Sequence, residues 1–291
     1  MSTPAAVNLP IELILLAAEY AAQLQTSEKA IRRWRHWVAS LCTVCRALEP
    51  AMARILYTLV HVHPGNIDVV VRAAEMDTHP FRRARAVYLD TRGGFLADEQ
   101  ASALSAAFQH VHAYTGSLHD LRSLLNDQIH SHDIRPLSVH FLLSWKVFDL
   151  GIVTISAERL HVVFEQSFIS NDDLSRFRTR FLILDVHTAT SDEAIDTVRQ
   201  ALRVQTLERI LVRPFVSRAK SQVQDLRDRF RSFAHAERSA IIWFDDSFPS
   251  DGRSVDLNVA ELLDYRGLSD AMTGDDLWLQ GSQLYIPGND A

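Results

Sequence analysis

The chain is short of glycine, cysteine and lysine. It has 10 glycines and 2 cysteines among 291 residues, and arginine outnumbers lysine 27 to 3. Two cysteines cannot build a disulfide framework. Scarce glycine argues against loops that cradle phosphate groups. The sequence also lacks the G-x-x-x-x-G-K-S/T, G-x-G-x-x-G and G-x-S-x-G signatures, so nucleotide-binding sites and α/β-hydrolase sites of the usual kind are not expected.

Long runs of one charge and long apolar runs are also lacking. The net charge is −6 and is dispersed along the chain, so nothing indicates a nucleic acid or a membrane surface as partner. The longest apolar stretch, residues 137–155, is interrupted by His140, Lys146 and Asp149, which argues against a membrane span. No basic segment followed by an apolar core indicates a signal peptide. We therefore expect a protein of the cytoplasm or nucleus.

The first predicted helix is apolar on two sides. Pro10 suits the first turn of a helix, where no backbone N–H is needed, and Glu12 adds a favourable negative charge there. One apolar stripe consists of Leu13, Leu16, Ala17 and Tyr20. A second stripe consists of Ile11, Ile14, Leu15 and Ala18. One face can serve a small local core, and the other then needs cover from the rest of the chain or from a partner protein.

Two more short helices are predicted before residue 60. The apolar pattern places one from about residue 31 to 47 and a third after the break at Glu49-Pro50. Cys42 and Cys45 lie one helical turn apart and are interpreted as small core residues, because no further cysteine completes a zinc site. Three short helices make a core too small to be stable alone. We therefore predict a helical module over 1–60, followed by an α/β domain over 61–291.

These helical pieces resemble an F-box, in particular the divergent F-box-like modules of fungal proteins. The matching pieces are Leu9-Pro10-Ile11-Glu12-Leu13, Tyr20, Leu41-Cys42-Thr43-Val44-Cys45-Arg46 and Leu56-Tyr57. The resemblance covers residues 7–60 and implies that the module inserts into the Skp-type adaptor of a cullin ubiquitin ligase. The partner-binding residues that it implies are Leu9, Pro10, Leu13, Leu41, Val44, Leu56 and Tyr57. The chain departs from the family at residues 23–37, a longer, charged and aromatic connection.

Short strand-like runs recur through the remaining residues. Their central residues are Val60, Val87, Val111, Val139, Val162, Leu184, Leu211 and Ile242, followed by a last short run at Leu277-Trp278-Leu279. Helical stripes fill several of the gaps, at residues 101–108, 118–125, 195–202 and 223–233. Strand–helix units that repeat every 22 to 31 residues predict parallel strands.

Three architectures fit this spacing of strands and helices: a leucine-rich-repeat-like solenoid, a doubly wound sheet and a closed (β/α)8 barrel. The spacing matches leucine-rich repeats, although their consensus is not clean in any repeat. F-box-like proteins often continue into such repeats, so the resemblance favours a degenerate solenoid. We predict a non-catalytic protein that bridges a Skp-type adaptor and a target protein. The scarcity of lysine fits this role, because a ligase subunit with few lysines offers few sites to its own ligase. The alternative is a stand-alone repeat scaffold whose N-terminal helices cap the sheet.

A metal-dependent hydrolase on a (β/α)8 barrel is the enzymatic alternative. His61 and His63 form a His-x-His at a strand end, as in amidohydrolases, and neutral imidazoles with a carboxylate suit zinc. Further ligands from later strands would be His140, His161, His187 and Asp245 or Asp246. However, His161 is predicted at a strand start, whereas barrel sites gather at the opposite ends. The aspartates near Leu184-Asp185 and Phe244-Asp245 are interpreted as strand-end caps, and no catalytic, cofactor or metal site is predicted.

Overall fold

The fold begins with three helices in the order that the sequence predicts. The computed structural model describes residues 11–23, 28–44, 46, 48–90, 96–125, 136–141, 157–164, 178–186, 191–214, 220–246, 270–271 and 273–288. Helix α1 spans Ile11–Gln23, α2 spans Glu28–Val44 and α3 spans Glu49–Thr58. None of the described helices combines the length and the apolar character that a membrane crossing requires.

Helix α2 contains most of the segment that was expected to be a connection. The Trp34 indole Nε1 donates a hydrogen bond to the Ala18 carbonyl oxygen at 2.9 Å, which ties α2 to α1. The Arg35 Nη2 donates to the Leu59 carbonyl oxygen at 3.1 Å, beyond the end of α3. The aromatic and charged residues of this segment therefore hold the helices together and join them to the first strand.

The described residues contain nine strands, which form one sheet in the same order as they occur in the sequence. The strands are β1 Leu59–Val62, β2 Ala86–Leu89, β3 Ala113–Gly116, β4 Ser138–Phe141, β5 Arg159–Phe164, β6 Phe181–Val186, β7 Arg209–Pro214, β8 Ile242–Phe244 and β9 Ser282–Gln283. The helices between them are α4 Ile67–Ala74, α5 Asp98–Phe108, α6 Leu118–Leu124, α7 Ser191–Ala201 and α8 Lys220–Ala236. Strands β1 to β8 pair in parallel, and β9 pairs antiparallel with β8.

The order and the pairing of the strands distinguish among the three predicted architectures. A mixed α/β fold with a mostly parallel sheet is confirmed. Among the described strands, β1 and β9 lie at opposite edges, so the closed (β/α)8 barrel is wrong. A doubly wound sheet is also wrong, because its strand order reverses, whereas this order is strictly sequential. The predicted boundary after residue 60 falls inside β1, which follows α3 directly.

Most individual elements agree with the sequence pattern, and two do not. Helix α6 begins as predicted, since Ser117 Oγ accepts a hydrogen bond from the Asp120 backbone N–H at 3.0 Å. The third strand does not contain Val111 but starts at Ala113. Residues Gly274–Leu279, which include the last predicted strand-like run, form a 3-10 helix.

The two faces of the sheet are covered by different elements. Helices α4 to α8 pack on one face, against the alternating residues Val60, Val87, Tyr114, Val139, Leu160, Leu182, Ile210 and Ile242. On the other face, Leu277 and Trp278 pack with Ile183 and Leu211. We call residues 270–271 and 273–288 the C-terminal strap. Gly281 in the strap has φ +85°, and a Cβ there would lie 2.7 Å from Leu211 Cδ1, so glycine is required where the strap crosses the sheet.

Side chains cap the outer edge of β1. The Leu59 carbonyl oxygen accepts from Arg35, as described above. Asn66 serves two backbone groups further along, because its Nδ2 donates to the His61 carbonyl oxygen at 2.9 Å and its Oδ1 accepts from the His63 N–H at 2.7 Å. Capped edges resist pairing with other chains.

Replacing Asn66 by alanine removes both of its edge hydrogen bonds. We expect the free energy of unfolding to fall by roughly 1–3 kcal/mol, because each partly buried backbone group loses its partner. Urea denaturation followed by circular dichroism measures the loss. Val69→Ala, at an exposed position of the same helix, is the control and should change the free energy by less than about 0.5 kcal/mol. Equal effects of the two substitutions would contradict the capping role.

Candidate interaction surface and buried charged cluster

Helix α1 carries an apolar stripe that is exposed in the part of the chain that the structure describes. Leu13, Leu16 and Tyr20 are 50%, 60% and 62% exposed, and their spacing places them on one face of the helix. The second predicted stripe points the other way: Ala18 is fully buried, and Ile14 and Leu15 pack against the same small core. The face that the local core does not use is therefore available to a partner.

The residues implied by the F-box resemblance fall into different environments. Leu9 and Pro10 lie outside the described residues, and Val44 is the last residue of α2. Leu13 is on the exposed stripe. Leu41 and Leu56 come together in the core of the helical module, which is built on Ala18, Val38, Leu48 and Met52. Tyr57 turns instead towards the core of the sheet domain, where its ring lies 6.0 Å from that of Phe81.

A charged cluster is buried on the face of the sheet that the strap covers. We use the name charged cluster for His140, His161, Asp185, Arg213 and Asp270, each at most 6% exposed. The strand register sets the first four, because His140 on β4 pairs with His161 on β5 and Asp185 on β6 pairs with Arg213 on β7. Asp270 comes from the strap.

Arg213 lies between the two carboxylates of the charged cluster. Its Nε and Nη2 donate to Asp185 Oδ1 and Oδ2 at 2.7 and 3.0 Å. Its Nη1 and Nη2 donate to Asp270 Oδ1 and Oδ2 at 3.0 and 2.7 Å. Both contacts are bidentate, the strongest geometry for an arginine–carboxylate pair. Burial alone lowers the pKa of the Arg213 guanidinium, but the two carboxylates raise that pKa above its ordinary value.

The two imidazoles extend this ion pair along the sheet. His140 Nδ1 lies 3.1 Å from His161 Nδ1, while His161 Nε2 lies 2.9 Å from Asp185 Oδ2 and 3.0 Å from Arg213 Nη2. Two neutral tautomers complete this chain. In one, His140 donates to His161, which donates to Asp185. In the other, Arg213 donates to His161, which donates to His140.

His140 is held neutral by its surroundings. Burial is the largest cause that lowers its pKa, to about 3, and the neighbouring His161 acts in the same direction. The Trp278 ring of the strap lies 5.4 Å from the His140 ring. His140 therefore carries no charge at neutral pH and acts as a hydrogen-bonding group in the cluster.

The charged cluster has ligand types that suit a metal, but its centre is already filled. Atoms of His161, Asp185 and Asp270 lie within 4.8 Å of one another. Arg213 donates hydrogen bonds to both carboxylates, lies 3.0 Å from His161 Nε2 and supplies the positive charge that the carboxylates require. A metal ion would either displace the buried guanidinium or place a second positive charge beside it. The geometry therefore fits an ion pair and does not fit a metal centre.

The histidines of the barrel hypothesis do not assemble as that hypothesis requires. The His61 ring stacks on Tyr88 at 4.6 Å and lies 5.1 Å from the His63 ring, and neither histidine belongs to the one candidate ligand group found among the described residues. His187 lies outside those residues. Asp245 is buried at the end of β8, whereas Asp246 is exposed and pairs with Arg227. Of the nominated histidines, His140 and His161 lie within hydrogen-bonding distance of each other.

The sequence pattern missed the centre of the charged cluster. Asp185 was expected to cap a strand end, and this is wrong: it lies within β6 and is fully buried in an ion pair. A signal for this pair exists, because Asp185 and Arg213 are opposite charges that follow the apolar residues of β6 and β7 at the same register. Asp270 has no such signal, since it does not belong to a strand.

Comparison with known proteins does not identify the chain. No family model, curated protein or solved structure matches it.

Proposed function

We propose that this protein is a non-catalytic interaction subunit whose helical module binds the Skp-type adaptor of a cullin ubiquitin ligase. The observation that carries the proposal is the uncovered stripe of Leu13, Leu16 and Tyr20 on α1. The stripe belongs to the motif that resembles an F-box, and the opposite side of the same helix is already used by the module core. An amphipathic helix with one free apolar face suits recognition in a groove.

The energy available from this stripe is one part of what a specific contact requires. Full burial of a leucine or tyrosine side chain is worth roughly 1.5–3 kcal/mol, and about half of that remains available at these exposures. Three such residues would contribute on the order of 3 kcal/mol before the cost of association. Partner binding by the module therefore requires further contacts, which the resemblance assigns to Leu9 and Pro10.

The α/β region would hold the target protein. The sequential order of parallel strands, with the described helices α4 to α8 on one face, supports a leucine-rich-repeat-like solenoid. Repeat proteins of this kind bind partners on the face or the loops that the helices leave open. The proposed protein thus joins an adaptor at its N-terminal module to a target on its sheet.

A stand-alone scaffold is the second candidate, and a specific observation favours it. Trp34 and Arg35 of α2 connect α1 to the edge of the sheet, as a terminal cap would. A pure cap, however, has no use for an exposed stripe on α1. The two candidates therefore differ in whether the stripe binds an adaptor.

Replacing Leu13 and Leu16 together by aspartate tests the adaptor role. We expect at least about 30-fold weaker binding to a purified Skp-type adaptor, measured by isothermal titration calorimetry, because two anchors of about 1 kcal/mol each are lost. Thermal stability should change little, since both side chains are exposed. Val69→Asp with Met76→Asp, at two equally exposed apolar positions, is the matched control.

Two outcomes of the same titration would overturn the proposal. If the wild-type chain does not bind the adaptor, the ligase role is wrong. The role is also wrong if Leu13→Asp with Leu16→Asp and Leu9→Ala with Pro10→Ala both leave the affinity unchanged. In either case the scaffold alternative is favoured.

A further inference from the structure

The charged cluster has a fixed part and an inserted part. His140, His161, Asp185 and Arg213 come from four neighbouring strands and are positioned by backbone pairing. Asp270 is separated from Arg213 by 57 residues and reaches the cluster from the strap. The sheet therefore supplies the arginine and its fixed neighbours, and Asp270 of the strap fills the position beside the guanidinium, which we call the pocket.

We propose that this pocket is a recognition site for an acidic side chain of the target protein, and that Asp270 occupies it in cis. This proposal depends on the proposed function in one respect, namely that the ligand belongs to a target protein. Without Asp270, Arg213 and Asp185 form a neutral pair whose guanidinium still presents Nη1 and Nη2 to an incoming carboxylate.

The geometry of Arg213 explains why the ligand is a carboxylate. Asp185 holds the guanidinium through Nε and Nη2 at 2.7 and 3.0 Å, which fixes its plane. The adjacent edge, formed by Nη1 and Nη2, then donates two hydrogen bonds to Asp270. A planar, bidentate donor that is fixed in advance selects a carboxylate over a single acceptor, and burial strengthens the selection.

The surroundings of the pocket explain why the ligand is part of a polypeptide. The strap also brings Leu277 and Trp278 onto Ile183 and Leu211, all four of them buried. A small free carboxylate would replace Asp270 but would leave these apolar side chains without cover. A target segment that combines an acidic residue with an aromatic or aliphatic residue replaces both contacts of the strap.

Chemical rescue of Asp270→Ala tests the pocket itself. Sodium acetate, compared with sodium chloride at the same ionic strength, should raise the melting temperature of this variant in a saturable manner. The wild type should show no acetate-specific rise, and neither should Asp270→Ala with Arg213→Gln, in which the donor is removed. Asp275→Ala is the matched control, because Asp275 lies in the strap and pairs with Arg159 at an exposed site.

A second probe tests whether the ligand is a polypeptide. A synthetic peptide with the sequence of residues 268–280 should bind Asp270→Ala at least tenfold more tightly than the same peptide with asparagine at position 270. If acetate stabilises the variant but the two peptides bind equally, the site accepts only small carboxylates and the target claim is overturned. If acetate has no specific effect, the pocket is not a carboxylate site.

If Asp270→Ala does not fold, a refolding experiment tests the pocket instead. In that case acetate or chloride is present during refolding from urea, and near-ultraviolet circular dichroism reports the native state. Recovery in acetate alone supports the pocket, and equal recovery in both salts overturns it. None of these results involves α1, so they are independent of the adaptor titration.

Discussion

Replacing Arg213 by methionine should lower the free energy of unfolding by roughly 3–5 kcal/mol. The methionine side chain fills part of the space, but Asp185 and Asp270 then face each other without the guanidinium that joins them. Two buried carboxylates without a cation must repel each other or take up a proton, and either costs stability. A loss of this size would be a large share of the stability of an ordinary domain.

Urea denaturation at pH 7 measures the effect, and two further variants interpret it. Arg180→Met is the control, because Arg180 forms ion pairs with Glu158 and Glu208 at the surface, where solvent screens them, so its replacement should have a much smaller effect. Adding Asp185→Asn and Asp270→Asn to Arg213→Met removes the repulsion and should recover much of the loss. A loss below about 1 kcal/mol for Arg213→Met alone would show that the ion pair is not required.

The protein should lose stability as the pH falls below about 6.5, and His140 should account for a distinct part of the loss. The folded-state pKa of His140 is lowered to about 3 by burial and by His161, whereas an unfolded histidine titrates near 6.5. Between these values the unfolded chain binds one more proton than the folded chain. Stability therefore falls with decreasing pH, by roughly 1.4 kcal/mol for each pH unit from this one group.

The slope of the unfolding free energy against pH, compared between the wild type and a His140 variant, separates the contribution of His140. The other titratable groups that face it are His161, Asp185 and Asp270. The free energy of unfolding is measured at intervals from pH 7 to pH 4.5 for the wild type and for His140→Leu. The variant should start less stable, because His161 loses a partner, but should have a slope shallower by about one proton. His110→Leu, at an exposed position, should retain the wild-type slope. Equal slopes for wild type and His140→Leu would contradict the neutral, buried state of His140.

The elements of the fold were largely predictable because they depend on local patterns. Strands β1, β2 and β6 contain the predicted central residues Val60, Val87 and Leu184, since each strand is a short apolar run. Ser117 signalled the start of α6 through hydrogen bonding within four residues. The strand near Val111 was displaced because alternating His110-Val111-His112 imitates a half-buried strand, whereas the paired residues start at Ala113.

The site was less predictable because it depends on contacts between distant residues. The stripe on α1 could be recognised, but its exposure depends on what the rest of the chain covers. His140 and His161 were nominated as candidate ligands, yet their meeting with Arg213 follows from the register of four strands. Asp270 joins them across 57 residues, and no local pattern encodes that distance.

The sequential strand order has a consequence for the order of events during protein synthesis. Each parallel strand pairs with the one made just before it, so the sheet can grow strand by strand as the nascent chain emerges. The contact between Arg213 and Asp270 cannot form until 57 further residues have left the ribosome. A nascent chain that ends before Asp270 would therefore contain strands β1 to β8 with the arginine pocket open, and the ion pair with Asp270 would form only after these strands had been made.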